Sequence, residues 1–364
     1  MIATIVWGML LAGQPLEPRI SLKQLNTILN DAKSKHKVPG MAGAVVTSRG
    51  VHAMTWVGVR KAGTISPIGE KDLWHLGSDT KAFTATLLAV LHEKEKIDYD
   101  TPLPKLFPKL ASAMKPEYKE VTLSDALRHR TGLASNLKDW WSVPTTARVQ
   151  VQRLQALRRG LSMEPTEPPG KKFHYSNMGY VLAGAAAEQA MNEEWETLIE
   201  RHVLRPLEIR SAGFGAPGTV GKLDQPLGHN SKGQPVEPSA RADNPPVMGP
   251  AARLHLSLGD WTLFIQDHLA GAQGKGKLLQ PQTYKKLHTP LEGETYTLGG
   301  WIYESSGGIP VLTHDGSNGG FYCSAVLLPT LDIGVLVVCN QGPKAGEAAV
   351  KEAILTAVKA TVGR

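Results

Sequence analysis

Apolar positions first recur at a helical spacing in SLKQLNTILNDAKSKHK, where Leu22, Leu25, Ile28 and Leu29 share one face and the run stops before Pro39-Gly40. The next stretch, MAGAVVTSRGVHAMTWVGVR, reads as two strands joined at Arg49-Gly50. From Asp79 to Lys96 the period is helical again, with Phe83, Leu87, Leu88 and Leu91 on one side. In VTLSDALRHRTGL, Thr122 stands three residues before Asp125 as in a capping box, and the helix is expected to run to Gly132. NMGYVLAGAAAEQAM is small and apolar, which suits a buried helix. Between Phe214 and Pro250 glycine and proline are dense and periodicity is weak, so a long ordered loop is expected. A helix resumes at Ser257 and stops at Gly271. Strand patterns return in TLGGWIYES, IPVLTH, FYCSAVLLP and IGVLVVCN, and AGEAAVKEAILTAVKA closes the chain as a helix.

Strands at both ends around a helical middle predict an α/β protein. One antiparallel β-sheet is built from both termini, flanked by N- and C-terminal helices, with a mostly helical domain inserted. Residues 15–100 and 296–364 then form the α/β domain and 101–295 the helical one. With 364 residues the chain can bury a large core.

The net charge of +7 favours polyanions in general, but the charge is spread along the chain and no basic block is interleaved with aromatics, so nucleic acid is not an expected partner. The opening segment MIATIVWGMLLAGQP (residues 1–14 and the following Pro15) has the apolar core and small-residue exit of an export signal without its basic start. It is too short to span a bilayer, so stable membrane insertion is not expected. The pattern points to export to the periplasm or the exterior, with a cytoplasmic protein whose first residues are a buried strand or a mis-assigned start as the alternative. The only cysteines, Cys323 and Cys339, flank two strands around a Pro-Thr-Leu-Asp turn. A hairpin centred on Leu331 would set them opposite one another; a one-residue shift faces them apart, and two buried free thiols are the expected outcome. No Cys/His cluster has metal-ligand spacing, and no glycine loop is built to cradle phosphates, so neither a metal nor a nucleotide cofactor is expected. His52, His92 and His129 read as surface or packing histidines.

The pattern Ser-x-x-Lys, the spacing needed for a lysine-activated serine, occurs four times: at Ser34, Ser78, Ser112 and Ser135. Ser34 lies in a cationic helix tail, Ser112 is cut off by Pro116, and Ser135 falls in a polar loop. Ser78 follows Gly77 and opens a strongly apolar helix, where free backbone N–H groups and a partial positive charge suit a developing oxyanion. Lys81, three residues on, projects from the same face.

Tyr175-Ser176-Asn177 and His314-Asp315-Gly316 follow in order. Serine-Lys, then Tyr-x-Asn, then Lys/His-x-Gly resembles the serine β-lactamase and penicillin-binding-protein superfamily, and is most similar to class C β-lactamase-related serine hydrolases such as D-aminopeptidases and esterases. The resemblance runs from about residue 21 to the C-terminus. It implies a β-lactamase/transpeptidase-like fold and a cofactor-free hydrolase that works through an acyl-enzyme on esters, amides or β-lactams, with a small molecule or short peptide as substrate. It also implies Ser78 as nucleophile, Lys81 and Tyr175 as the proton-transfer pair with the base left open between them, and Asn177 on the substrate's acyl group. The oxyanion donors would be the backbone N–H groups of Ser78 and Ser317. A class C-type β-lactamase or D-peptidase is the alternative reading, and a non-catalytic ligand-binding sensor the alternative from another class. The departure from the lactamase pattern lies in His314-Asp315-Gly316, where Lys-Thr-Gly is usual: His314 and Asp315 differ and Gly316 is kept. A neutral histidine and an added carboxylate would favour neutral esters or amine-bearing substrates over carboxylate-bearing ones. The alternative for Asp315 is that it points away or pairs with a basic residue. Trp140-Trp141 would either shape an acyl pocket or anchor a loop.

Overall fold

In the computed structural model, residues 15–143, 147–306 and 308–363 are described. The expected export segment, 1–14, lies outside them. Helix α1 (Leu22–His36) starts from a capping box in which Ser21 and Gln24 satisfy one another's backbone N–H groups. It buries Leu25 and Leu29, while Leu22 stays 56% exposed and does not join the apolar face. Strands β1 (Gly40–Thr47) and β2 (Gly50–Gly58) form the expected hairpin. The short strand β3 (Leu73–His75) leads through a 3₁₀ turn at Gly77–Asp79 into α2 (Thr80–Glu93), which is buried from Thr80 to Leu91.

The middle of the chain contributes α3 (Leu123–Leu127), α4 (Val149–Leu161) and α5 (Asn177–Met191). The capping box of α3 forms between Thr122 and Asp125. The helix ends earlier than the expected Gly132, because His129 takes a left-handed backbone (φ 58°). From Phe214 to Pro250 the chain is largely irregular, stiffened by a two-residue pairing of Gly228–His229 with Pro235–Val236. Strand β4 (Leu254–Ser257) pairs with β3, and α6 (Leu258–Ala272) follows directly, capped by Ser257.

The C-terminal strands are β5 (Ile302–Ser306), β6 (Ile309–Asn318), β7 (Phe321–Leu328) and β8 (Ile333–Cys339), closed by α7 (Ala345–Val362). With β1 and β2 they build one six-stranded antiparallel sheet in the order β2-β1-β8-β7-β6-β5. Helices α1 and α7 cover one face, and α6 packs on β1 and β8 from the other. The period of two divides each central strand between two cores: Ala42, Ala44 and Val46 face the core that contains α2, and Met41 and Val45 face the terminal helices. Both faces are apolar, so the central strands are buried at every position.

The turn between β7 and β8 is shifted by one residue from the symmetric case. Cys339 pairs with Tyr322 and Cys323 with Val338, which sends the two thiols to opposite faces as free cysteines. Asp332, left-handed at φ 57°, seats the turn by accepting from the backbone and hydroxyl of Ser48.

Candidate active site

The tip of α2 is positioned by two glycines. Gly77 adopts φ +49°, and a Cβ there would lie 2.4 Å from the backbone nitrogen of Ser317. A Cβ on Gly316 would lie 1.8 Å from the carbonyl oxygen of Leu76. Turn and strand β6 therefore touch backbone to backbone, which no side chain at either position would allow. This contact sets the backbone of Ser317 beside the turn that carries Ser78.

Lys81 stands in the first turn of α2 and is wholly buried. Its Nζ lies 3.1 Å from Ser78 Oγ, 2.8 Å from Asn177 Oδ1 and 3.0 Å from the carbonyl oxygen of Ala251. Burial pulls its pKa down to about 7, against a smaller opposing pull from Asp79. A neutral amine so held donates two hydrogens, to Asn177 and Ala251, and turns its lone pair to the Ser78 hydroxyl. Asp79 is itself buried, and desolvation holds its carboxyl well above the usual range. Its Oδ2 accepts from the Cys323 thiol at 3.2 Å.

Tyr175 approaches from the segment before α5. Its phenol is pushed upward by burial and drawn partly back by a hydrogen bond with the Ser78 side chain. Its ring centroid lies 4.8 Å from Lys81 Nζ. The rest of Tyr-Ser-Asn is arranged by local bonds. Ser176 caps α5 by accepting from Gly179 N, and gives its own N–H to His129 Nδ1 at 3.0 Å. Asn177 donates to Asn136 Oδ1 at 2.9 Å, and the carbonyl of Tyr175 accepts from Ser135 Oγ at 2.7 Å. The polar loop around Ser135 is thus the floor on which Tyr175 and Asn177 rest. Trp140 anchors that loop through its own bond to Asn136 Oδ1 at 3.1 Å.

Strand β6 brings His314 to the same place. Its Nδ1–H donates to the carbonyl of Asp315 at 2.8 Å and its Nε2 accepts from the Tyr296 hydroxyl at 3.1 Å. Burial, with a smaller push from Lys81, lowers its pKa to about 3. The ring is neutral at physiological pH. Asp315 is a correction to the sequence reading. Alternation along β6 turns it to the opposite face, where it accepts from the Tyr322 hydroxyl at 3.0 Å and pairs with Lys351 of α7 at 3.7 Å. Its carboxylate does not line the site. The hydroxyl of Ser317 donates to the carbonyl of Phe321 at 3.0 Å and is occupied in holding the hairpin.

Ser78, Lys81, Tyr175, Asn177, His314, Gly316 and the backbone of Ser317 are thus brought together; only the Asp315 side chain is not. Sequence reading missed Tyr296, and took His129 as a surface or packing histidine without its place beside the site; the ring is buried and does pack. The His129 ring packs 4.2 Å from Tyr175 and 4.5 Å from Tyr296, centroid to centroid. The left-handed kink that ends α3 aims it there, and the Arg-His-Arg run that holds it carries no such signal. Tyr296 stands at the entry of TLGGW, a run read only for its strand pattern. Among the described residues no group of three or more His, Cys, Asp or Glu is placed to hold a metal ion, and no helix is long and apolar enough to cross a membrane.

Comparison with known proteins gives the family and the fold. The family model described as Beta-lactamase matches residues 24–359. An unguisins hydrolase of Aspergillus violaceofuscus is 25% identical over 346 residues, covering 84% of this chain and 58% of that protein. Penicillin-binding protein 4 of Amycolatopsis lactamdurans is 23% identical over 322 residues, covering 85% of this chain and 83% of the relative. This chain spans 58% and 62% of the length of the two Aspergillus hydrolases it resembles. Among solved structures, SurE superimposes with a TM-score of 0.76 at 22% identity, over 93% of this chain and 75% of that one. The octameric penicillin-binding protein homologue from Pyrococcus abyssi gives 0.75 at 21% identity, over 93% and 78%. At these identities the solved structures speak to the fold alone.

Proposed function

Because this chain belongs to the beta-lactamase family, we propose that it is a serine hydrolase that forms an acyl-enzyme at Ser78. The observation that carries the reading is the buried Lys81 amine 3.1 Å from Ser78 Oγ, with its pKa brought to about 7. A lysine at its ordinary pKa of about 10.4 is neutral in roughly one molecule per few thousand at pH 7. The buried one is neutral in about half. It takes the Ser78 proton as Oγ attacks the substrate carbonyl. The oxyanion is met by the backbone N–H groups of Ser78 and Ser317, at the helix tip and on β6. Tyr175, its phenol raised by burial, keeps its proton at neutral pH and so acts as the acid that protonates the leaving group. Water then attacks the ester, and the same groups run in reverse.

The substrate is a neutral ester or an amide without a carboxylate at the position facing His314. Where lactamases hold a lysine, this site holds an imidazole with both nitrogens engaged and no charge to offer. The relative named for hydrolysis of unguisins makes peptide amides a fitting class to assay beside simple esters.

The test is intact mass after exposure to a fluorophosphonate and to a panel of p-nitrophenyl esters and D-amino-acid amides. The expected result is a single adduct on Ser78 that is absent in Ser78→Ala, with turnover of at least one neutral ester. No adduct and no turnover would leave a binding protein and overturn the reading.

A further inference from the structure

Behind the nucleophile turn lies a buried polar pair that the mechanism does not use. His75 ends β3, two residues before Gly77, and Asp243 comes from the irregular stretch between Phe214 and Pro250; they are 1% and 6% exposed. The backbone N–H of Gly77 donates to His75 Nδ1 at 3.0 Å, which leaves the ring proton on Nε2. That Nε2 faces both oxygens of Asp243, at 3.1 and 3.2 Å. Asp243 also accepts from the side chain of Asn318, the last residue of β6, and from Asn244 N at 2.6 Å. Arg253 Nε stands 3.8 Å away. Burial pushes the Asp243 carboxyl up, but His75 and Arg253 more than offset this and hold it below its usual value.

The chain of contacts thus runs from the turn beside Ser78, through His75 and Asp243, to the residue after Ser317. Its two ends are the segments whose N–H groups form the oxyanion hole in the reading above. We infer that His75 and Asp243 are positioning residues which clamp the nucleophile turn to the end of β6, so that the segment carrying Asp243 sets the spacing of the two oxyanion donors. The inference rests on the serine-hydrolase reading. It adds a part that neither the Ser-x-x-Lys spacing nor the His-x-Gly spacing contains.

The substitutions are chosen by which ring nitrogen they mimic. His75→Asn keeps an acceptor near the Nδ1 position and so serves Gly77; His75→Gln keeps a donor near Nε2 and releases Gly77. Asp243→Asn keeps shape and removes the charge. With a p-nitrophenyl ester, His75→Gln and Asp243→Asn are expected to lower kcat about 10- to 100-fold, short of the loss of a whole donor, with KM within about threefold. Affinity for phenylboronic acid, which mimics the tetrahedral oxyanion, should fall by the same factor, and the kcat of His75→Asn, which keeps the Gly77 bond but loses the Asp243 one, should fall in the same range. Unchanged kcat and boronate affinity in both His75→Gln and Asp243→Asn would overturn the inference, as would a rise in KM alone.

Hydrogen exchange at the Gly77 amide of the wild-type protein decides the matter if the variants do not fold. Strong protection is expected, and exchange at the rate of an open peptide overturns the clamp. A wild-type enzyme that never labels at Ser78 would instead sink the hydrolase reading, and the two failures are told apart by that control.

Discussion

Lys81 shows how a single residue type is changed by where it is put. Taking an ammonium from water into this interior costs about 1.4 kcal/mol for each pKa unit lost, and the descent from 10.5 to about 7 is driven by burial. Three hydrogen-bond partners hold the amine without restoring its ordinary pKa. Lys81→Met should therefore slow acylation of Ser78 by about 100-fold or more, the range of a lost general base. The histidine of β6 gives a second prediction at this scale. His314→Lys would place a cation where the wild type has a neutral ring. The ratio of kcat/KM for a carboxylate-bearing ester over its neutral analogue should rise about tenfold, one part of the Coulomb energy of a close pair. Asp315→Asn, by contrast, should leave that ratio unchanged, since the carboxylate faces Tyr322 and Lys351 on the far side of the sheet. Ser78 and Lys81 stood out from three other Ser-x-x-Lys spacings by opening an apolar helix, and Tyr175 and Asn177 entered through the resemblance that the ordered motifs carry. The direction of Asp315 was not legible. In IPVLTHDG the apolar residues Val311 and Leu312 are adjacent because β6 is buried on both faces, so the pattern carries no parity to say which side the next residues take.

Among the elements, the decisive feature is the contact between the turn at Gly77–Asp79 and strand β6. Gly316→Ala would drive a methyl into the Leu76 carbonyl oxygen, which is backbone and has nowhere to go. A cost at the upper end of the roughly 1–3 kcal/mol of overpacking is expected, seen as a lower urea midpoint together with loss of Ser78 labelling. Helix starts were readable where capping residues are local: Thr122 and Ser257 act as the sequence suggested, while the Ser21 capping box of α1 went unread. Helix α3 stopped before its expected end for a reason no local rule supplies. His129 gives up helical backbone to stand between Tyr175 and Tyr296 and to accept the N–H of Ser176, so a tertiary site overrides the local preference. The hairpin of β7 and β8 likewise depends on one residue of register, which the turn composition left open between two answers.

Over the whole molecule, the site is assembled from segments that meet only on folding: residues 78 and 81 at the tip of α2, 175 and 177 at the start of α5, Ala251 before β4, and 314–317 on β6. The layout of strands from both termini around helices was legible because two apolar periods mark it. The carbonyl of Ala251 and the Asp243 carboxylate were not, since nothing in a side-chain pattern announces a backbone oxygen or a loop residue that reaches the centre. A buried ion cluster also joins the helices of the middle region, where Arg153 meets Glu188 and Glu196. Arg153→Met would strand two carboxylates and should cost about 3–5 kcal/mol in urea unfolding.

The claim on which the account turns is that a neutral Lys81 takes the Ser78 proton. Its most direct test is the pH dependence of single-turnover acylation of Ser78, followed by intact mass from pH 5 to 9. Since the deprotonated amine is the working form, the rate should rise with pH through a midpoint near 7 and level off above it. In Lys81→Met the rise should be gone. A flat profile in the wild type, or a rise that persists unchanged in Lys81→Met, would contradict it.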